Sequence, residues 1–259
     1  MAKQTGIISL KGTIGNITFY KSKDGTMARA KGGVDAKRLA TDPAFVRTRE
    51  NGSEFGRAGK AGKLLRTAFR ALLSNIGDSQ VTSRLSSQML RVIQADATNA
   101  RGQRNVIDGE VELLNGFEFN ANGRLGGTLY APFAASIDRG TGVLKVDMPA
   151  FVPVNLLASP AGATHFQITI AGAEIDFEAE TIVNATAAGA ETAISATPTE
   201  VMNLSVNLTA NSTRPLFLAM GIEFFQKVNG VSYSLKNGAY NALALVAISG
   251  MPAPPPPAP

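Results

Sequence analysis

From about Val106 onward, short apolar runs alternate with Gly, Asn, Pro and Asp clusters at intervals of about ten residues. The runs are VELLNGFEFN (111–120), TLYAPFAASID (128–138), VLKVDMP (143–149), THFQITIAGAEIDFEAETIV (164–183), VMNLSVNLT (201–209), PLFLAMGIEFFQKV (215–228), VSYSL (231–235) and ALALVAIS (242–249). Many short runs with turn signals at this spacing argue for antiparallel strands. The pattern predicts an antiparallel β-sandwich of the jelly-roll or immunoglobulin-like type over 105–250. Asn229-Gly230, between two of the runs, predicts a tight hairpin. The Ala-, Thr- and Gly-rich stretch 184–200 reads as a loop or weak strand.

The preceding segment has a different period. Thr41-Asp42-Pro43 supplies a polar cap followed by Pro at a first helical position. In GRAGKAGKLLRTAFRALL (56–73), Leu64, Leu65, Ala68 and Leu72 fall on one face, and Arg57, Lys60, Lys63, Arg66 and Arg70 recur on the other. Gly56, Gly59 and Gly62 cost about 1 kcal/mol each relative to Ala, which close approach of another backbone would explain. Asp78 is placed to cap a second helix with the stripe Val81, Leu85, Met89, Val92 and Ile93. Residues 41–104 therefore read as a basic helical hairpin.

Residues 7–20 alternate as a strand through Ile7, Ser9, Ile14, Ile17, Phe19 and Tyr20, with Gly12 and Gly15 as bulge positions. Asp24-Gly25 then turns the chain into Met27-Ala28-Arg29-Ala30-Lys31, ending at Gly32-Gly33. A hairpin alone is marginal in water, so this arm (1–40) needs a surface to dock on. PAPPPPAP (252–259), within a tail segment 251–259, favours an extended polyproline helix. The whole is expected to be α+β.

Charge is distributed unevenly. Residues 1–104 hold 19 Lys and Arg against 7 Asp and Glu, a balance of +12; residues 105–259 hold 6 against 13, a balance of −7. A basic front and an acidic back suit either a polyanion or mutual attraction between copies. Cys and Trp are absent, which excludes disulfides and thiolate metal sites. The first residues lack a signal-type apolar run and no stretch has the length of a membrane span, so synthesis in the cytoplasm without a signal peptide is expected. An assembly could be released from there as part of an extracellular or virion-like object.

No residue set reads as catalytic, cofactor-binding or metal-binding, and the chain is read as a non-enzyme without cofactors. His165 stands alone as the one His, without a sequence-placed partner. Gly62-Lys63 is followed by Leu64, so the phosphate-loop pattern lacks its hydroxyl. Glu174, Asp176, Glu178 and Glu180 sit two apart, which on one strand puts four carboxylates on one face. A flat strand does not wrap a calcium ion. The row reads instead as a solvated face or as the receiver of a basic arm from another subunit.

The stretch MAKQTGIISLKGTIGNITFYKSKDGTMARAKGGV, continued by DPAFVRTRENGSEFGRAGKAGKLLRTAF, resembles a family of uncharacterised proteins abundant in Bacteroidota. The resemblance covers residues 1–75 and extends more loosely through RGQRNVIDGE (101–110); it implies no activity, fold or site residue. KGTIGNITFYKSKDG is also similar to the opening of small phage-associated or mobile-element proteins. The leading expectation is a self-assembling structural subunit of a filament or virion-like particle, a homopolymer joined by strand donation from the arm. Its interface residues are expected to be Ile14, Ile17, Phe19 and Tyr20 on one copy and Glu174, Asp176, Glu178 and Glu180 on the next. The alternative is nucleic-acid binding, with Arg57, Lys60, Lys63, Arg66 and Arg70 as polyanion contacts. A carbohydrate-binding sandwich lacks support, because there is no Trp and only 4 Tyr.

Overall fold

In the computed structural model, which describes residues 2–6, 8–30, 33–235 and 238–251, the chain divides into two units, residues 1–49 and 50–259. The division falls inside a helix (Val46–Ala68) rather than at residue 40. Ile7, Lys31, Gly32 and the proline-rich 252–259 lie outside the described residues.

The first unit is built on a four-stranded antiparallel sheet of order β1 (Ala2–Lys3), β4 (Gly25–Ala30), β3 (Ile17–Ser22), β2 (Gly12–Ile14). The continuous strand expected over 7–20 is broken at Gly15-Asn16. There Gly15 takes a φ of 56° and the chain reverses, so that Ile14 pairs with Ile17. Left-handed backbone costs glycine little, and that freedom wins over strand alternation. The second hairpin forms where Asp24-Gly25 announced it, but its loop is Lys23-Asp24, and Gly25 (φ 109°) already pairs with Ser22. After it come α1 (Ala36–Thr41) and a 3-10 turn (Pro43–Phe45) in which Asp42 Oδ1 accepts from the Ala44 N–H at 2.9 Å, as the capping pattern predicts.

The second unit stacks three layers. A six-stranded antiparallel sheet is centred on β7 (His165–Asp176) and β11 (Leu216–Val228). Outside β7 lie β8 (Thr181–Ala188) and the two-residue β9 (Thr192–Ala193); outside β11 lie β12 (Val231–Ser234) and β13 (Ala242–Ser249). The turn between β11 and β12 has positive φ at both Asn229 (52°) and Gly230 (82°), as a type I′ hairpin requires. A three-stranded sheet ordered β10 (Met202–Asn207), β6 (Val143–Met148), β5 (Ala134–Asp138) covers one face. Helices cover the other: α2 (Val46–Ala68), the short α3 (Arg70–Leu73) and α4 (Val81–Gln94).

Alternation along the central strands sorts the two cores. In β7, Phe166, Ile168 and Ile170 face the small sheet, whereas Ala171, Ala173 and Ile175 face the helices. In β11, Leu218, Met220, Ile222 and Phe224 face the small sheet, whereas Phe217 and Ala219 face the helices. A central strand buried on both faces reads as an unbroken apolar run, which is why LFLAMGI contains no polar residue. Against the helix-facing side pack Ala58, Ala61, Leu65 and Ala68 of α2 and Leu85, Met89, Val92 and Ile93 of α4. The helical pair thus shares a core with the sheets, and the boundary expected at 104/105 does not separate two cores.

Three local expectations are corrected. The segment 111–120 forms a 3-10 turn (Val111–Leu114) and a single bridge at Glu118 instead of a strand. The segment 128–138 becomes a strand only from Ala134, after the one-turn helix α5 (Leu125–Thr128). Asp78 Oδ1 accepts from the Gln80 N–H at 2.6 Å, ahead of α4, so it shapes the approach and does not itself cap the helix. A further one-turn helix, α6 (Pro153–Leu156), precedes β7.

The glycines of α2 also behave differently from the close-approach expectation. A Cβ on Gly56 or Gly59 would meet nothing within 4 Å, and one on Gly62 would touch Leu85 Cγ at an ordinary 3.6 Å. Replacing both Gly56 and Gly59 by Ala is therefore expected to stabilise the protein by about 1–2 kcal/mol in urea unfolding, through helix propensity alone. A loss of stability would show that a neighbouring molecule needs that open surface.

Candidate functional site

The five cations expected to form one stripe on 57–70 are divided by their surroundings. Arg57 Nη1 donates to the carbonyls of Gly102 (2.7 Å) and Arg104 (3.0 Å), and Nη2 to Gln103 Oε1 (3.2 Å), so its guanidinium holds the loop after α4. Lys60 Nζ stands 3.7 Å from Glu180 Oε1. That pair is solvent-exposed on both sides, a geometry that contributes at most about 1 kcal/mol. Lys63, Arg66 and Arg70 have no acidic partner among the described residues.

Those three line a cleft of about 530 Å³. Lys63 and Arg66, three residues apart, share the face of α2 opposite the buried Ala58, Leu65 and Ala68, and Arg70 opens α3 beside them. Leu73, Ile76 and Val81 supply an apolar wall. Arg66 Nε is shielded from solvent and has no acceptor, a condition that costs about 1–3 kcal/mol for a buried donor. The one carboxylate in the lining, Asp78, is already engaged: Oδ2 accepts from Arg84 Nη2 (2.5 Å) and from the Ala121 N–H (3.0 Å). Burial would raise the Asp78 carboxyl, but the Gln80 and Ala121 N–H groups and Arg84 outweigh it and hold the group below the ordinary carboxylate range.

The acidic row does not exist as a row. Strand β7 ends at Asp176, and Phe177–Glu180 turn into β8, with Glu180 at a φ of 56°. Glu174 is buried and Arg214 Nη1 lies 3.4 Å from its Oε1; Arg214 Nε donates to Asp176 Oδ2 at 3.0 Å. Asp176 Oδ1 accepts from the N–H groups of Glu178 (3.0 Å) and Ala179 (2.8 Å), which shapes the turn. Only Glu178 and Glu180 remain exposed, and they share a smaller cleft of about 240 Å³ with Arg57, Lys60, Leu64 and Phe177 of the same chain. Basic helix and acidic turn are thus brought together within one molecule.

The arm residues are also divided. Register places Ile14, Ile17, Phe19, Ala28 and Ala30 on one face of the first unit's sheet, and Thr13, Thr18, Tyr20, Met27 and Arg29 on the other. The second face is stitched by the Thr13–Thr18 hydroxyl pair (3.2 Å) and by Arg29 over the Tyr20 ring (5.4 Å). The first face carries an apolar patch, with Ile14 63% and Ile17 46% exposed, and Lys21 and Thr26 continue that face at its far end. Tyr20 therefore does not share a surface with the other three expected interface residues.

His165 Nδ1 meets Thr164 Oγ1 at 2.9 Å at the start of β7, where it pairs with Phe225 and Ala193. Among the described residues no cluster of three or more His, Asp or Glu groups is arranged to hold a metal ion, and no helix is long and apolar enough to cross a membrane. Sequence reasoning missed the buried Glu54, which takes two bonds from Arg104, because one Glu inside a basic helix carries no periodic signal. It also missed Arg139, whose guanidinium donates to the carbonyls of Ser212, Arg214, Ser249 and Gly250. No family model matches the chain, and no match to it was found among the curated proteins or the solved structures.

Proposed function

We propose that this chain is a structural subunit that assembles with copies of itself, and that the sheet of the first unit is the joint. One observation carries the reading: none of the described residues between 2 and 49 is buried, although one face of that sheet carries an apolar patch of Ile14, Ile17, Phe19, Ala28 and Ala30. A sheet whose strands are at most half-buried has little to offset its conformational entropy, so its stability calls for a covering surface. The flanking strands β1 and β2 are two and three residues long and cover only part of β4 and β3, which leaves edge available for strand addition.

Charge favours a second copy as the cover. Residues 1–49 hold 10 Lys and Arg against 3 Asp and Glu, a balance of +7, while residues 50–259 hold 15 against 17. The first unit of one copy is attracted to the second unit of the next, and such head-to-tail contacts give rings or filaments according to whether the rotation closes. In this reading the stacked sheets are the body of a sandwich of the jelly-roll or immunoglobulin kind. Strands that switch between the two sheets, β6 to β7 and β10 to β11, support that assignment. Glu178 remains available as an acidic contact, and Glu180 does so in exchange for its exposed pair with Lys60; Glu174 and Asp176, held by Arg214, do not.

Sedimentation velocity and negative-stain microscopy on the full chain test the reading. The unaltered chain is expected to form large species, and Ile14→Lys/Ile17→Lys to weaken association by about two orders of magnitude, from the burial of two Ile side chains. Deletion of residues 1–33 is expected to leave a folded monomer. A full chain that stays monomeric at high concentration, or variants that assemble unchanged, would exclude the arm as the joint.

A further inference from the structure

We infer that the cleft between α2–α3 and the start of α4 is a binding site for a phosphate group. The inference does not rest on the assembly reading: the lining lies in the second unit, whereas the residues that test assembly, Ile14 and Ile17, lie in the first.

Lys63, Arg66 and Arg70 project three positive charges into one concavity, and no carboxylate of the described residues pairs with any of them. The contrast with Arg57 and Lys60, earlier on α2, is informative. Arg57 is held by three hydrogen bonds and Lys60 faces Glu180, whereas the three cations further along are left without such partners. Arg66 adds a second, separate sign: its Nε is out of solvent and has no acceptor, although buried donors as a rule find one. Asp78, the only acidic residue of the lining, is neutralised by Arg84 and turned to the backbone N–H groups of Gln80 and Ala121, so it does not compete for the cations.

The ligand class follows from charge and shape. A single carboxylate would satisfy one guanidinium; two guanidinium forks and an ammonium on one wall match the several oxygens of a phosphate or polyphosphate. The volume of about 530 Å³ is of the size that holds a small organic ligand, and Leu73, Ile76 and Val81 offer an apolar surface to the body that carries the phosphates. The same chemistry is offered by a free nucleotide or by the phosphodiester backbone of a single strand, and the two sources separate experimentally.

The full chain is titrated calorimetrically with ATP and with inorganic tripolyphosphate, and by anisotropy with a fluorescein-labelled mixed-sequence single-stranded DNA. Lys63→Ala/Arg66→Ala/Arg70→Ala is expected to weaken binding at least tenfold. A charge-matched control, Lys23→Ala/Lys37→Ala/Arg91→Ala, is expected to keep it, and Ile14→Lys/Ile17→Lys to keep it as well. Tight binding of ATP and tripolyphosphate identifies a small polyphosphate ligand. Binding of the strand alone, weakening roughly twenty-fold between about 50 and 200 mM salt as three phosphate contacts require, identifies a nucleic acid. Circular dichroism confirms that each variant is folded, and Arg66→Lys serves as the milder substitution should the triple variant unfold. Failure of all three probes to bind, or equal loss in the cleft variant and the charge control, overturns the proposal.

Discussion

Exchanging Glu54 for Gln lowers the stability of the protein by about 3–5 kcal/mol, the range for breaking a buried ion pair by removing one partner. Glu54 lies on α2 with its side chain 1% exposed, and both carboxylate oxygens are engaged. Oε1 accepts from Arg104 Nε at 2.7 Å and from the Gly102 N–H at 2.8 Å, and Oε2 accepts from Arg104 Nη2 at 2.9 Å. Gln is nearly isosteric but turns an amide NH₂ towards a guanidinium that only donates, leaving a largely buried charge without its counter-ion. The loop has no room to relax: a Cβ on Gly102, at a φ of 85°, would come within 2.8 Å of Glu50 Cγ.

The pH dependence has a definite sign. The hydrogen bond from Arg104 holds the Glu54 carboxyl below its ordinary value, against the upward push of burial. A depressed folded-state pKa means that the unfolded chain takes up the proton first. The stabilisation is complete above the unfolded value of about 4.3 and is lost as pH falls through the lower folded value. The gap between the unaltered protein and Glu54→Gln in urea unfolding therefore closes on acidification. A gap that stays constant would mean that shape, not charge, makes the contribution. Replacing both Glu54 and Arg104 by Met is expected to cost much less than either single change.

What the sequence made legible depended on whether a structural feature repeats. The strands 143–148, 202–207, 216–228, 231–234 and 242–249 were readable because alternation and turn residues recur along them. The stripe Leu85, Met89, Val92 and Ile93 was readable for the same reason. Non-periodic features escaped. Gly15 could serve a bulge or a reversal, and only pairing of Ile14 with Ile17 decides between them. The four carboxylates from 174 to 180 keep the strand period, yet Asp176 accepts two local N–H bonds and ends the strand, so the period is accidental. Of the basic set, Lys63, Arg66 and Arg70 line one cleft although Arg70 belongs to the next helix, and only tertiary partners show that Arg57 is engaged elsewhere. The domain boundary escaped because the change in period at about residue 105 marks a change of element and not of core. α2 and α4 bury their apolar faces on β7, β11 and β13.

That shared core makes the second large effect a test of architecture as well as of packing. Phe217→Ala is expected to cost about 3–5 kcal/mol. The ring is fully buried near the start of β11, on the helix-facing side, and meets Phe177 edge-on at 6.2 Å between centroids. Its neighbours on that side of the sheet include Ala171, Ala173 and Ala219, side chains too small to fill the space the ring would leave. A cavity that cannot collapse puts the cost at the upper end of the range, and Phe217→Leu, which keeps most of the volume, is expected to cost less. Because the same cavity opens under α2 and α4, the helical circular dichroism and the tyrosine fluorescence, measured in a Tyr20→Phe background so that it reports only Tyr130, Tyr233 and Tyr240 of the second unit, should shift to lower urea together, with an unchanged slope. If the tyrosine signal moved and the helical signal did not, residues 41–104 would fold as a body of their own, and the three-layer core would be wrong.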